Sequence, residues 1–217
     1  MNDKETVIKK IQIAFGQNEY PGDRFLQGSF DGSEPEEEIK HFKGQTNWQA
    51  IDSTLLDIHY AALSFFSEAA LRFFLPAYLI ADLRDELQTA DPLFVLTHGF
   101  SEIKIEHKTD SGLFACSTGK SAFINPQRYG AMTFYDYARW RLSVFCREEA
   151  QAIKLYLEYK RDIDLDKLHQ EQIDAALNLF WLDRANNAPL AESLLKHLRA
   201  EAEYLAAIGA KVNSNLK

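Results

Sequence analysis

The sequence predicts a mainly α protein, a single helical domain with one small β-hairpin and a C-terminal helical pair. Three observations predict this fold class. Apolar residues recur at helical spacing along most of the 217 residues. Strict alternation of apolar and polar residues, typical of a half-buried strand, occurs at 102–106. Beyond Asn125-Pro126 the helical spacing returns and continues to the C-terminus, and short links between helices favour antiparallel packing.

The N-terminal part is predicted to contain two helices separated by a loop. Apolar residues three and four apart predict an amphipathic helix over residues 3–15. Pro21-Gly22 then predicts a turn, because proline presets φ and glycine accepts turn geometry. A short helix is expected from Glu34 to Phe42, with Pro35 at its first position, where a missing N–H costs little.

The middle of the chain is helical in pattern from Trp48 to His98. Ser67 followed by Glu68 is typical of a helix start, because a serine hydroxyl caps free backbone N–H groups. Pro76 predicts a break or a kink, after which a helix is expected over 76–88.

The next segment is predicted to hold a short helix and then the hairpin. Asp91-Pro92 indicates a cap followed by a first-turn proline, and Gly99 indicates the end of that helix. The alternating residues at 102–106 predict one strand, and residues 113–117 are expected to pair back with it across a turn.

Four helices are predicted after the hairpin, at 133–145, at 147–160, at 165–184, and from Leu190 to Gly209. Each carries apolar residues at core spacing. Cys146 is expected at the N-cap of the second of these helices, where Ser, Thr, Asp or Asn is usual.

Composition and charge narrow the classes of partner and the cellular location that are expected for the protein. The net charge of −8 argues against nucleic-acid binding, which needs clustered lysine and arginine, and suits a partner protein with a basic surface. The longest apolar run, Phe73 to Ala81, is far shorter than the roughly 20 residues of a membrane span, so no membrane association is predicted. The N-terminus lacks the pattern of a signal peptide, and a cytoplasmic protein is expected.

No metal site and no cofactor are predicted. The six histidines show no HxxxH or HExxH spacing. The two cysteines, Cys116 and Cys146, form neither a disulfide framework nor a CxxC pair. The stretch 117–121 is similar to the end of a phosphate-binding loop, but Phe114 stands where that motif needs its first glycine.

Five polar residues are candidates for a functional site: Arg72, Tyr78, Asp82, His59 and Cys146. Those within the aromatic segment either line a pocket or make structural contacts such as an ion pair. For Cys146 the alternatives are a nucleophile, because a helix N-terminus and a nearby arginine lower the pKa of a thiol, and an inert half-buried thiol.

Two stretches resemble a known family. The run from Leu63 to Leu79 is similar to the "AL-x-FFSPEA-x-RYYLPAYL" signature of an uncharacterised bacterial domain-of-unknown-function family. Residues 146–159 are similar to a later helical segment of the same family. The resemblance covers roughly residues 5–160 and departs from the pattern at Glu68, where proline is usual, and at Cys146, where threonine is usual. It implies a shared fold and no assigned activity.

The resemblance divides the chain into a family-like helical domain at 1–160 and a C-terminal helical extension at 161–217 packed on it. The leading hypothesis is a soluble protein-binding or regulatory bacterial protein of an accessory or immunity type. The alternative is a small enzyme whose site is assembled from distant residues. A third hypothesis is a homodimer formed through the C-terminal helices. Exposure of a leucine stripe would favour that dimer and burial against residues 147–182 would contradict it; the stripe is Leu194, Leu198 and Leu205.

Overall fold

The computed structural model describes residues 3–100, 104–109, 112–117, 133–164 and 166–215. This part of the chain is mainly helical, as predicted. Its helices are α1 (Lys4–Phe15), α2 (Glu34–Ile39), α3 (Ser53–Ile58), α4 (Ala62–Phe65), α5 (Glu68–Leu83), α6 (Pro92–Thr97), α7 (Phe134–Leu142), α8 (Arg147–Ile163), α9 (Lys167–Ala176), α10 (Leu182–Asn187) and α11 (Ala191–Asn215). Short 3-10 turns occur at Asp23–Phe25, Lys40–Phe42 and Trp48–Ala50, and a π-helical turn, Leu177–Trp181, joins α9 to α10.

Two short strands follow α6. β1 (Lys104–Thr109) pairs antiparallel with β2 (Gly112–Ser117), with Lys104 opposite Ser117 and Thr109 opposite Gly112. The alternating stretch at 102–106 therefore overlaps the start of β1. Three parts of the predicted region lie outside the described residues: residues 102–103, the turn residues 110–111, and residues 118–121 of the stretch that was compared with a phosphate-binding loop.

Helix α5 is the central element of the fold, and nearly all of its side chains are buried. Helices α1, α3, α6 and α11 pack against it. Three phenylalanine rings form the middle of the core, with Phe66 and Phe74 stacked at 4.9 Å and Phe42 set edge-on against both. One continuous cluster of buried apolar side chains extends from Val7 to Leu198.

Pro76 does not interrupt α5, so of the two predicted alternatives, a break or a kink, the break is wrong. Proline has no N–H, and the carbonyl of Arg72, four residues earlier, therefore loses its helical partner. The side-chain amide of Asn18 donates to this carbonyl at 3.3 Å and replaces the missing hydrogen bond. The helix consequently runs unbroken from Glu68 to Leu83.

Helix α5 ends at Leu83, before the predicted residue 88. Asp85 explains the early end, because its backbone is in the left-handed region at φ 60° and the Glu86 N–H bonds back to the Ala81 carbonyl at 2.9 Å, as in a Schellman motif. Asp57 holds the segment that follows, because its Oδ1 accepts hydrogen bonds at 2.7–2.9 Å from three consecutive backbone N–H groups, those of Gln88, Thr89 and Ala90. These N–H groups are held by a side chain from α3, so the segment forms a non-helical turn.

Helix α11 continues past Gly209, where it was expected to end, and reaches Asn215. Gly209 allows the helix to pack closely against Phe30, because a Cβ atom at this position would overlap the Phe30 ring. Helix α11 packs against α5 and the turn Asp23–Phe25, and Leu194 and Leu198 are buried in the core. These two leucines therefore do not form the exposed stripe that the homodimer hypothesis requires.

The described helices include none that is both long enough and apolar enough to cross a membrane.

Candidate ligand-binding site

A pocket of about 310 Å³ opens between α5, α11 and the N-terminal loop, residues 16–33. From α5 come Ala69, Arg72 and Phe73. From the loop come, among others, Glu19, Tyr20 and Arg24. From α11 come Leu195, Leu198, Arg199, Ala202 and Glu203. We call this cavity the Arg72 pocket.

Helical spacing explains why these side chains share one cavity. Residues 69, 72 and 73 are three and four apart, so they lie on one face of α5. The five pocket residues of α11 follow the same spacing over two turns. On the loop, Tyr20 is held by Asp23, whose Oδ1 accepts from the tyrosine O–H at 2.5 Å. The Tyr20 ring packs edge-on against Phe73, with 5.4 Å between the centroids.

Arg72 is the buried cation of the pocket, with 7% of its surface exposed. Its Nε donates to Glu149 Oε2 at 2.9 Å. The two terminal nitrogens of the guanidinium form no hydrogen bond to any residue that the structure describes. Arg72 therefore keeps donor capacity on the side away from its ion pair, and it lines the pocket.

Glu149 fixes the position of Arg72. This carboxylate has no exposed surface and accepts from two further donors, the Asn18 side-chain amide at 2.7 Å and the Cys146 backbone N–H at 2.8 Å. The bond to Cys146 is the reciprocal half of an N-terminal helix cap. The same carboxylate thus connects α5, α8 and the N-terminal loop, and it holds the guanidinium in one orientation.

Cys146 occupies the N-cap of α8, as predicted. Its side chain is buried, and this burial raises the pKa of the thiol to about 12, with the negative charge of Glu149 adding to the effect. The thiol is therefore protonated at neutral pH. This environment favours the inert alternative over a nucleophile, because the thiolate is the reactive form.

Tyr78 and His59 meet at a different place. The Tyr78 O–H donates to the backbone carbonyl of His59 at 3.3 Å, and burial raises the pKa of this tyrosine. The His59 ring stacks on His41 with 4.2 Å between centroids, and its Nδ1 lies 3.7 Å from Glu38 Oε1. Within the described residues, no group of three or more His, Cys, Asp or Glu side chains is arranged to hold a metal ion.

Asp82 lies near the C-terminal end of α5, where it joins that helix to α8. Its Oδ2 accepts from the Tyr156 O–H at 2.7 Å and lies 3.0 Å from Lys160 Nζ. The structure therefore brings Arg72 and Cys146 together through Glu149, and Tyr78 and His59 together through a carbonyl. Of the five predicted candidates, Arg72 is the one that lines the pocket.

Sequence reasoning missed the other charged residues of the pocket: Glu19, Arg24, Arg199 and Glu203. The one available signal was the spacing of Arg199 and Glu203, four apart and in register with the apolar residue Leu195 on the same helix. Nothing local in the sequence indicates that this face of α11 meets residues 19–24.

The comparisons with known proteins identify a family and no activity. A family model described as "Family of unknown function (DUF6714)" matches residues 3–185. No curated protein and no solved structure shows a significant match to the chain. The match extends past residue 160, where the sequence resemblance was expected to end, and includes α9 and the first four residues of α10. The predicted membership in a domain-of-unknown-function family is confirmed. The chain belongs to the DUF6714 family of unknown function.

Proposed function

We propose that the protein is a binding protein with a regulatory or accessory role, and that the Arg72 pocket takes a small molecule carrying a carboxylate. The observation that carries this proposal is the buried Arg72 guanidinium, positioned by Glu149, with terminal nitrogens unused by the described residues. A planar guanidinium presents two parallel N–H donors that match the two oxygens of a carboxylate.

The size and the lining of the pocket suit a ligand of metabolite size. Its volume of about 310 Å³ is at the lower end of the usual range for ligand pockets, about 300–1,000 Å³. The pocket combines the polar groups with the apolar side chains of Phe73, Leu195 and Leu198. Ligand sites commonly have this composition, in which apolar walls supply affinity and a few polar groups supply orientation.

The charge of the whole chain favours a small ligand over an acidic protein. A net charge of −8 repels an acidic macromolecule over its whole approaching surface. A small carboxylate carries one charge and approaches the guanidinium at short range, where Arg24 and Arg199 also line the pocket.

The arrangement of the candidate residues supports binding over catalysis. A catalytic site needs several ionisable groups around one reacting position. Here Asp82 contacts Tyr156 and Lys160, and Tyr78 contacts a backbone carbonyl. Cys146 is buried as a protonated thiol.

The proposal predicts that carboxylates stabilise the folded protein through the arginines. A ligand at 100 times its Kd raises the free energy of unfolding by about 2.7 kcal/mol. The test is a thermal-unfolding screen of a panel of small carboxylates, repeated on the variant Arg24→Met/Arg199→Met, which changes two exposed residues. We expect a concentration-dependent rise in Tm for the native protein and a much smaller rise for the variant.

Lys196→Met is the matched control, because Lys196 is an exposed cation of α11 that is not among the residues lining the pocket. Its ligand response should equal that of the native protein. No response to any carboxylate would contradict the proposal, and so would a response that equals that of the native protein both in the arginine variant and in Arg72→Lys, which loses the two parallel donors of the guanidinium.

The acidity of the chain favours a second candidate, an accessory protein that binds a basic protein partner. Complementary charge accelerates encounter and makes it sensitive to salt. The test is an affinity pull-down from the source cells at low salt. A stoichiometric partner that dissociates as salt is raised, and whose purified form binds again, is the expected result. A clean preparation would count against this candidate and leave the pocket proposal standing.

A further inference from the structure

We infer that the ligand of the Arg72 pocket is zwitterionic, with an ammonium group beside its carboxylate, as in a free α-amino acid with an apolar side chain. This inference rests on the proposed function and narrows the class of ligand. It comes from the two carboxylates of the pocket, Glu19 and Glu203, which would repel a simple anion and attract an ammonium group.

The positive and negative side chains around the pocket are equal in number. Arg72 is paired with Glu149 behind the pocket wall. Arg24 and Arg199 are matched in number by Glu19 and Glu203. Among the residues that the structure describes, none of these four exposed side chains forms an ion pair. The pocket therefore offers separate positive and negative groups with no net charge, which complements a zwitterion better than it complements a dianion.

Helix α11 presents one group of each sign side by side. Arg199 and Glu203 are four residues apart, so their Cβ atoms lie roughly 5–6 Å from each other on one face. An exposed pair at this spacing stabilises a helix by only about 0.3–0.5 kcal/mol, and the order with the cation first is the weaker one. Because the two side chains, both among the described residues, form no ion pair with each other, a ligand that engages each of them separately gives up little helix stability.

The apolar walls indicate the nature of the rest of the ligand. The Tyr20 and Phe73 rings meet edge-on at one side of the pocket, and Leu195 faces it from α11. These groups favour a flat or branched apolar side chain and disfavour a third charge on the ligand.

The test uses ligands that differ only in their charged groups. Calorimetry compares L-phenylalanine with 3-phenylpropanoate, which lacks the ammonium group, and with phenethylamine, which lacks the carboxylate; L-leucine and 4-methylpentanoate form a second pair. We expect each amino acid to bind at least about tenfold more tightly than its deaminated acid, as one additional partly buried ion pair would produce.

The variants Glu19→Gln and Glu203→Gln should reduce that preference, each by roughly threefold or more, without weakening the binding of 3-phenylpropanoate. Glu192→Gln is the matched control, since Glu192 is an exposed acid on the same helix that is not among the residues lining the pocket. Its preference should equal that of the native protein.

The outcomes separate this inference from the proposed function. If the deaminated acids bind as tightly as the amino acids and lose affinity in Arg24→Met/Arg199→Met, the zwitterion inference is overturned and the carboxylate pocket stands. If neither class binds, the inference is overturned, and the proposed function falls with it only when no other carboxylate of the thermal panel binds either. If phenethylamine alone binds, both are overturned. An amino-acid preference that persists in both glutamine variants also overturns the inference.

Discussion

Glu149 is a buried carboxylate whose charge is compensated by hydrogen bonds and an ion pair, and it orients Arg72 in the pocket. The charged side chain is fully buried, and it is compensated by a guanidinium, a side-chain amide and a backbone N–H. Burial of an ion pair is close to neutral in free energy, but leaving one member without its partner is costly. The pair therefore contributes more to the orientation of Arg72 than to net stability.

The cost of a buried, unpaired charge predicts the effect of removing the Glu149 carboxylate. Glu149→Ala should lower the free energy of unfolding by about 3–5 kcal/mol, because it leaves Arg72 buried without a counter-charge and removes the reciprocal cap of α8. Adding Arg72→Met to that variant should recover part of the loss, as measured by urea denaturation. If the two substitutions destabilise additively, the guanidinium does not depend on Glu149.

At the scale of elements, α5 is a helix whose continuity depends on a side chain from another part of the chain. Pro76 removes one backbone donor, and Asn18, in the loop after α1, supplies its replacement to the Arg72 carbonyl. The same amide donates to Glu149. The loop, the proline and the ion pair of the pocket are therefore parts of one hydrogen-bond network.

A double-mutant cycle tests this network. Asn18→Ala should cost about 1–3 kcal/mol of unfolding free energy, because it leaves the Arg72 carbonyl without a partner. In a Pro76→Ala background the backbone N–H of residue 76 can donate a helical hydrogen bond to the Arg72 carbonyl. The loss of unfolding free energy caused by Asn18→Ala should therefore be smaller in that background. Equal costs in the two backgrounds, measured by chemical denaturation, would show that Asn18 does not act through the carbonyl.

The helices that could be predicted from the sequence are those whose ends are marked by local signals. Helix starts at Ser67 and Asp91 carry local signals, and in both the side chain caps a backbone N–H, as the sequence indicated. Thr133, where a helix start was expected, caps α7 in the same way. The continuation through Pro76 and the extension past Gly209 were missed. Both depend on distant partners, and such contacts leave no periodic trace in the sequence.

At the scale of the whole molecule, the candidate site is a product of tertiary packing. Its walls come from the N-terminal loop, from α5 and from α11, and the last of these lies beyond the residues matched by the family model. Arg72 was recognisable as a polar residue in an apolar segment. The residues that complete the pocket are exposed charges, which from sequence resemble any solvated surface.

The contact between α11 and the rest of the molecule also contains a buried acid that makes stability depend on pH. Glu68, 9% exposed, has a carboxylate oxygen, Oε2, without a hydrogen-bond partner among the described residues. Burial raises its pKa above the ordinary 4.5. The charges that act on it are Arg141 on α7 together with His197 and Glu201 on α11, and Glu201 raises the pKa further while the other two lower it.

An acid whose pKa is higher in the folded state stabilises the fold fully below its unfolded pKa, and this contribution is lost as the pH rises through the folded pKa. At pH 7, Glu68→Gln should therefore raise the free energy of unfolding by about 1 kcal/mol, because the amide avoids burying a charge. The gain should shrink as the pH falls towards 4.5, because the raised pKa makes native Glu68 begin to take up its proton above that value. Denaturation of Glu68→Gln and the exposed control Glu192→Gln across this range measures the effect. A gain that is independent of pH would show that the charge of Glu68 is not its cause.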